Sequence, residues 1–583
     1  MHKVRDTIVF DSLGDSRRMA DVMQTDPHRH AGLRRTFIAL ALLVVTAAAF
    51  SPVCFAEFLN WDDQTTLYQN PDMNPPTLAG IGRYWTEPAG ELYIPVTYTV
   101  WGAAAHVAYA PDAGAQGIYL NATVFHTLNL AIHLLTVLAA FGLLRLLIGN
   151  DIAAAVGAAV LALHPLQVEP VAWVSGTKDV LCGLLSLLAI WQYLRSLRPN
   201  IALRRKVLRY ILATIVFVLA LLSKPSAVTV PLVAAALAIG ILRRPWRAVL
   251  AATWPWLVLA MPVAILGMRV QPGIISMYDP LALRPLVAGD ALAFYLVKLI
   301  APVQLAIDYG HAPDAVLHRT LTLFAWLLPL AVGLLVWRWR RTRYLLTAAM
   351  VFLCSLLPVL GFVRFSFQEY STVADHYVYV AMLGPALLTA WIWSRTPAPL
   401  HAAIVAIIAG LSLLSFRQTR FWHDTVTVFR HNLDVNPTSF AAHRVLGFVY
   451  ATQGRIPQAI QQYGAALQTH PDDPTSHFNL GNIHLLYLND PAGAAVEYQA
   501  AELGRPNDPA VHSNLAQAYK ILGKTDLSNR EFAAACVETG KQLEAGGQKP
   551  AAVAQFTRAL QYDPHCQPAL DALLRLAPPG AGQ

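Results

Sequence analysis

Two adjacent carboxylates, Asp62 and Asp63, are the residues best suited to chemistry, because they follow the first long apolar segment by only a few positions. Paired carboxylates can bind a divalent cation through oxygen. Alternatively, one can act as a general base while the other orients a partner. A solvated turn without chemistry is the competing interpretation. If the apolar segment spans a membrane, at least one of these carboxylates lies at the membrane surface and faces a cavity.

Further polar side chains lie within or beside apolar segments, where such groups are costly and a functional role is the first hypothesis. His126, Asn129 and His133 recur at i, i+3 and i+7, which places them on one helix face. They fit an interhelical hydrogen-bond seam as well as a substrate contact. The other groups stand at the ends of later apolar segments: His164, Glu169, Lys178, Asp179, Lys224, Asp375, His376 and Tyr377.

These polar groups predict an extracytoplasmic cavity at the membrane edge that contains carboxylates, imidazoles and a few cations. Transporters instead concentrate such groups near the bilayer midplane, often in broken helices. The placement therefore favours chemistry on a lipid-linked substrate.

Apolar helices must position these groups. The chain has 583 residues, of which 55% are hydrophobic and only 13% charged, which is too apolar for a soluble globular protein. A bilayer core needs about 20 apolar residues per helix. Eleven segments approach that length and predict about eleven spans: 36–56, 119–141, 152–172, 179–194, 209–223, 226–242, 248–268, 321–337, 344–363, 377–393 and 399–416. A further segment, Leu292–Val303, is predicted to be re-entrant or interfacial.

The formal net charge of +8 is explained by topology. Membrane proteins collect Lys and Arg in short cytoplasmic loops, and here the cationic clusters lie between apolar segments, so no nucleic-acid partner is expected. With Arg34 and Arg35 in the cytoplasm, the later clusters fall on the same side and the C-terminal part lies outside. We therefore predict a multi-pass protein of the bacterial inner membrane. The five cysteines show no metal-binding or redox spacing.

The chain after about residue 417 has a soluble composition and repeats itself with the period of about 34 residues that is typical of tetratricopeptide repeats. Leu446-Gly447, Leu480-Gly481 and Leu515-Ala516 mark the same place in three successive units. Such helix pairs stack into a curved surface that binds an extended peptide, and a cap that only stiffens the membrane domain is the alternative. The predicted fold is all-α, a polytopic helical membrane domain followed by an α-solenoid. The predicted domains are a polar cytoplasmic tail (1–35), the membrane domain (36–416) and a periplasmic repeat domain (417–583).

Several short motifs carry a family resemblance. The chain resembles the transmembrane and tetratricopeptide repeat containing proteins and their bacterial relatives, which are polytopic glycosyltransferases of the C superfamily. The resemblance runs from about residue 36 to 575. The matching motifs are Phe58-Leu59-Asn60-Trp61-Asp62-Asp63, Tyr93-Ile94-Pro95, Phe125-His126, His164-Pro165, Lys178-Asp179, Ser223-Lys224-Pro225, Asp375-His376-Tyr377 and Arg420-Phe421-Trp422.

The resemblance implies transfer of a sugar, mannose in the best-known members, from a polyprenyl-phosphate carrier to a hydroxyl of a protein acceptor that the repeats recruit. It assigns catalysis to Asp62 and Asp63, one of which deprotonates the attacking hydroxyl. Stabilisation of the leaving phosphate is expected from Lys178, Lys224 and His376. The other expected substrate-binding residues are Tyr93, His126, Asn129, His164, Glu169, Asp179, Asp375 and Tyr377.

No cofactor or metal is expected, since similar enzymes that use monophosphate carriers are metal-independent. Relatives that use diphosphate carriers employ a divalent ion, so metal dependence stays open. The chain departs from the family pattern at Ile94 and His376, where many members carry arginine. Two alternatives to this enzyme remain. One is a non-catalytic membrane scaffold for an envelope complex, and the other is a flippase or ligase that acts on glycans.

Overall fold

The computed structural model describes residues 27–90, 92–111, 117–270 and 281–576. Residues 1–26 of the predicted tail lie outside this part of the chain, and residues 27–35 begin the first helix. Within the described ranges every regular element is a helix, and β-type pairing is limited to three isolated bridges. The predicted all-α fold is confirmed.

The first part of the chain forms apolar helices joined by short turns and two longer loops. Several of the turns between these helices carry residues of the site described below. In chain order they are α1 (Pro27–Phe50), α2 (Leu78–Arg83), α3 (Pro95–Ala108), α4 (Ala122–Ile148), α5 (Asp151–Leu163), α6 (Val168–Ala172), α7 (Thr177–Ser196), α8 (Leu203–Leu221), α9 (Val230–Gly240), α10 (Trp246–Val270), α11 (Arg284–Ile300), α12 (Pro313–Leu317), α13 (Leu327–Arg338), α14 (Arg343–Leu356), α15 (Leu383–Trp393) and α16 (Ala398–Thr419).

Each of the eleven predicted apolar segments falls on a helix. Among the described residues, six helices are long and apolar enough to cross a membrane, and the pair Asp151–Leu163 and Pro165–Ala172, bent by 58°, raises the number to seven if it counts as one span. Three further apolar helices are shorter, and the remaining predicted segment lies in α8. Length and composition thus support six or seven full spans rather than eleven. The segment 292–303 covers the end of α11 and the irregular chain that follows Ile300.

The second part of the chain is a row of antiparallel helix pairs. Close packing within two of these pairs requires glycine, since a Cβ atom at Gly447 would lie 2.8 Å from the ring of Tyr463, and one at Gly481 would lie 2.6 Å from the ring of Tyr498. Thr425 opens this part, so the predicted boundary at 417 falls within the last turn of α16. The helices are α17 (Thr425–Val435), α18 (Phe440–Thr452), α19 (Ile456–Thr469), α20 (Pro474–Leu486), α21 (Pro491–Gly504), α22 (Pro509–Ile521), α23 (Thr525–Ala545), α24 (Lys549–Tyr562) and α25 (Gln567–Leu576).

The two ends of α1 identify the two ends of the membrane domain. At one end Arg34 and Arg35 contact the Asp151 carboxylate at 3.0 and 3.1 Å. At the other end the Glu57 amide donates to the carbonyl of His423 (2.8 Å). The loop that carries Asp62 therefore lies at the same end as the repeats and opposite the arginine cluster.

The repeats are joined to the membrane domain by buried polar contacts. Asp308, in the irregular chain after α11, accepts a 2.5 Å hydrogen bond from the Ser439 hydroxyl, and its amide donates to the Asn432 side chain (2.8 Å). Arg444 of the first repeat donates to the Tyr370 hydroxyl (3.1 Å). The solenoid consequently begins directly beside the turns that build the site.

Candidate active site

Asp63 is a structural residue that ties the first loop to the turn before α7. Its side chain is fully buried and accepts hydrogen bonds from the Leu59 amide (3.0 Å), the Ser175 amide (2.9 Å) and the Ser175 hydroxyl (2.6 Å). Burial raises the pKa of Asp63 to about 6, although the three donors act in the opposite direction. With both oxygens engaged by the protein, Asp63 positions its neighbour.

Asp62 is the accessible member of the pair. Its side chain is 39% exposed, and one oxygen lies 3.1 Å from Nζ of Lys178, whose own side chain is only 11% exposed. Lys178 also lies over the Trp173 ring, with Nζ 4.8 Å from the ring centre. A buried cation thus holds one carboxylate oxygen of Asp62 and leaves the carboxylate open to an incoming hydroxyl group.

A second cation lies close to the first. Lys224, in the turn between α8 and α9, forms an ion pair with Asp179 and has its Nζ 5.4 Å from the centre of the Tyr377 ring. The second carboxylate oxygen of Asp179 is buried without a hydrogen-bond partner. Asp179, Lys224 and Tyr377 line a small cavity of about 30 Å³. A polar ligand that donates to Asp179 would satisfy this orphaned oxygen.

His376 reaches the same cavity from the other side. Its Nδ1 lies 2.8 Å from one oxygen of Glu169, and its backbone amide donates to the other oxygen (3.0 Å). Burial lowers the pKa of His376 to about 3, so the ring is neutral. Glu169 therefore orients His376, and Lys178 and Lys224 are left as the cations of the site.

Asp375 lies directly before His376 and is held by α11 and the chain that follows it. The Tyr309 hydroxyl donates to Asp375 (2.7 Å), and the Ala374 amide donates to the Tyr295 hydroxyl (3.2 Å). Burial raises the pKa of Asp375 well above its usual range, and the nearby carboxylate of Glu169 adds to the effect. Asp375 accordingly fixes the turn that presents His376 and Tyr377.

The polar face of α4 forms a hydrogen-bond seam. Asn129 donates to the Trp173 carbonyl (2.7 Å) and accepts from the Thr177 hydroxyl (2.5 Å), which holds the start of α7. His133 lies 2.8 Å from the Tyr379 hydroxyl, and His126 lies 3.3 Å from the Glu57 carbonyl oxygen. Protein groups engage Asn129, His133 and one nitrogen of His126, which fits the seam interpretation, whereas Nδ1 of His126 is buried without a hydrogen-bond partner.

Two other predicted residues lie apart from the cations. His164 caps the bend between α5 and α6 and contacts the Leu299 carbonyl oxygen at 3.1 Å, so its described role is structural. The Tyr93 hydroxyl donates to the Trp85 carbonyl (2.9 Å) on an exposed part of the first loop. Within the described ranges no hydrogen bond joins Tyr93 to the other predicted site residues.

The structure also reveals positioning residues that the sequence pattern did not indicate. Ser175 lies in a short helical turn and Tyr309 in an irregular segment, neither of which shows periodicity, and only their long-range contacts identify them. The only group of three potential metal ligands in the described chain, Glu502, His512 and Glu531, lies in the repeats rather than here.

The fold and the site together define a helical membrane protein with a tetratricopeptide repeat solenoid placed beside an acidic and cationic cluster. A family model described as "TPR repeat" matches residues 447–487. Over 503 residues the chain is 22% identical to Protein O-mannosyl-transferase TMTC3 of Homo sapiens, and the match covers 77% of this chain and 53% of that protein. The chain is a relative of the transmembrane and tetratricopeptide repeat containing proteins, as its motifs predicted, and it spans about half the length of this relative.

Two solved structures show weak overall similarity to this chain. One is the apo oligosaccharyltransferase of Archaeoglobus fulgidus, with a TM-score of 0.34, 13% identity and coverage of 65% of this chain and 56% of that one. The other is ArnT from Cupriavidus metallidurans bound to undecaprenyl phosphate, with a TM-score of 0.32, 14% identity and coverage of 91% and 88%. At these scores neither match supports a conclusion about this chain.

Proposed function

We propose that the protein is a membrane glycosyltransferase that moves a sugar, mannose by analogy with its relative, from a polyprenyl-phosphate carrier to a hydroxyl of a protein acceptor. The main support is the 3.1 Å contact between the exposed carboxylate of Asp62 and the buried Lys178. This contact pairs a candidate base with a buried cation.

In the proposed step Asp62 takes the proton of the acceptor hydroxyl while the oxygen attacks the anomeric carbon of the sugar. The bond from that carbon to the phosphate oxygen breaks, and its electron pair leaves with the lipid phosphate from the opposite face. Lys178 and Lys224 stabilise the charge that develops on this phosphate. The configuration at the anomeric carbon inverts, and the proton remains on Asp62.

The repeats are proposed to deliver the acceptor. Trp61, next to Asp62, packs against Phe429 of α17 and against Tyr370, with ring centres 5.6 and 5.3 Å apart. A peptide bound along the first repeats would lie close to the carboxylate. We place this end of the molecule on the periplasmic side, because the arginine cluster at the other end follows the cytoplasmic preference of basic residues.

Intact-mass analysis of envelope proteins tests the proposal. Cells are compared that carry the wild-type chain, Asp62→Asn, no chain, or Glu87→Gln, an exposed carboxylate of the same loop that serves as the matched control. A hexose-sized mass increment is expected with wild type and with Glu87→Gln. With Asp62→Asn the rate of sugar transfer should fall about 10²–10⁴-fold because a general base is removed.

Identical spectra in all four strains would refute protein glycosylation and favour the scaffold or a glycan substrate. The two lysines supply the positive charge in the proposed step, so treatment of isolated membranes with a chelator should leave transfer unchanged. Loss of transfer on chelation that added Mg²⁺ or Mn²⁺ restores would overturn the metal-independent form of the mechanism.

A further inference from the structure

A second cavity lies where the last apolar helix meets the repeats. It has a volume of about 440 Å³ and shares no lining residue with the cavity beside Lys224. Its walls come from three parts of the chain, namely the turn after α11, the last turns of α16 and the first repeat helix. Gln418 and His431 both contact the Leu305 carbonyl oxygen, at 3.1 and 2.9 Å, and these bonds hold the walls together.

The cavity is cationic. Arg417 and Arg420 line it, both are exposed, and neither forms an ion pair with any residue of the described chain. The lining residues include no carboxylate. Asp434 is close enough to influence His431 but does not pair with either arginine. Two unpaired guanidinium groups at one cavity form a strong site for a phosphate group, which arginine binds with paired N–H donors.

The position of these arginines is unusual for a membrane protein. They end a helix long and apolar enough to span the bilayer, at the end of the molecule opposite Arg34 and Arg35. Basic residues next to spans gather on one side of the membrane, so an unpaired pair on the other side points to a ligand. Since arginines at the end of a span lie at headgroup depth, the ligand is expected at the membrane surface.

Apolar surface continues from the cavity into the lipid zone. Val303, a lining residue, is 52% exposed, and two apolar residues near lining residues in the chain, Ile300 and Leu413, are 85% and 52% exposed. A free anion has no apolar part that could contact this surface, whereas the acyl chain of a lipid would pack along it. We propose that the cavity of Arg417 and Arg420 binds the phosphate headgroup of an anionic membrane lipid, at a site separate from that of the sugar donor.

The test measures binding of phosphatidylglycerol with a fluorescent acyl chain to the full-length protein in detergent, by anisotropy. Saturable binding is expected that unlabelled phosphatidylglycerol displaces and phosphatidylcholine does not. Each arginine near a membrane surface contributes about 1 kcal/mol to anionic lipid binding, so Arg417→Gln with Arg420→Gln should weaken it about 30-fold. The matched control replaces Arg204 and Arg205, two exposed arginines without ion pairs at the start of α8, by glutamine and should leave binding within about twofold of wild type.

Three outcomes would overturn the proposal. Absence of saturable lipid binding to the wild-type protein would show that the site does not exist. Equal losses of lipid affinity in both double variants would show that the charges attract the lipid diffusely. If millimolar inorganic phosphate displaces the labelled lipid as effectively as unlabelled lipid does, the site binds free anions. Because Arg417 and Arg420 make no described side-chain contact, the variant should retain wild-type circular dichroism. Sugar transfer is a separate readout, so failure here leaves the proposed catalytic role of Asp62 untouched.

Discussion

Replacing Asp63 with asparagine is expected to change how the stability of the protein depends on pH. In the folded chain this buried carboxyl has a pKa of about 6, compared with 3.8 for an unperturbed aspartate. The folded state therefore holds the proton more tightly than the unfolded state does. Its stabilising effect is complete below pH 3.8 and is lost as the pH rises through 6. The two-unit difference corresponds to about 3 kcal/mol of unfolding free energy.

The asparagine variant lacks this titration, but its unfolding free energy is lowered by an amount that does not depend on pH. An amide oxygen can still accept from Ser175, but the NH₂ group then faces the Leu59 amide, and an unsatisfied buried donor costs about 1–3 kcal/mol. Near pH 4 the variant should accordingly be less stable than wild type by about that amount. Between pH 4 and pH 7 the gap should narrow by about 2 kcal/mol and approach zero or reverse.

Unfolding of the purified full-length chain by denaturant, followed by tryptophan fluorescence in mild detergent at a series of pH values, measures this gap. Only the difference between wild type and variant is interpreted, because other groups titrate equally in both. A Ser175→Ala variant controls for loss of a hydrogen bond without loss of the carboxyl. A gap that widens as the pH rises would refute the reasoning, since it would mean that the three donors stabilise the Asp63 anion more than burial destabilises it.

Two further predictions concern the repeats. Gly447→Ala should destabilise the chain by about 1–3 kcal/mol, because its Cβ would lie 2.8 Å from the Tyr463 ring. Gly464→Ala, whose Cβ would have no atom within 4 Å, should stabilise the chain by about 0.5–1 kcal/mol. Equal effects of the two variants in thermal unfolding would contradict this packing. The Glu531 carboxylate raises the pKa of His512 from 6.5 to about 9, so the pair stabilises the fold fully below pH 6.5 and loses its effect as the pH rises through 9. Glu531→Gln should therefore unfold more easily than wild type at pH 6 and equally at pH 10, and a deficit that is the same at both pH values would refute the ion pair.

The positions of the helices could be predicted from the sequence because they depend on local patterns. Apolar runs set the membrane helices, and the recurrence of Leu446-Gly447 and Leu480-Gly481 set the repeats. Periodicity could not tell full spans from short helices. The segment 377–393 illustrates this. Its first residues belong to the short 3-10 helix Asp375–Val378 at the site, and only Leu383–Trp393 forms an α-helix.

The residue types of the candidate site were predictable, but their roles were not. Asp62 and Asp63 are neighbours with equal chemistry, and the sequence offers no reason to separate them. The fold turns Asp63 inward to Ser175, 112 positions away, and leaves Asp62 outside beside Lys178. Similarly, Glu169 meets His376 across 207 positions, and no spacing rule reaches that far.

The sequence by itself therefore determined the helices, the repeats and the set of polar groups at one end of the membrane domain, because these follow from local composition and period. Only the tertiary structure decided which polar groups hold one another and which remain open to a ligand. The physical reason is burial. A polar group that is enclosed must find a partner, and the partners of Asp63, His133 and Asp375 come from distant parts of the chain, whereas Asp62, Arg417 and Arg420 stay exposed.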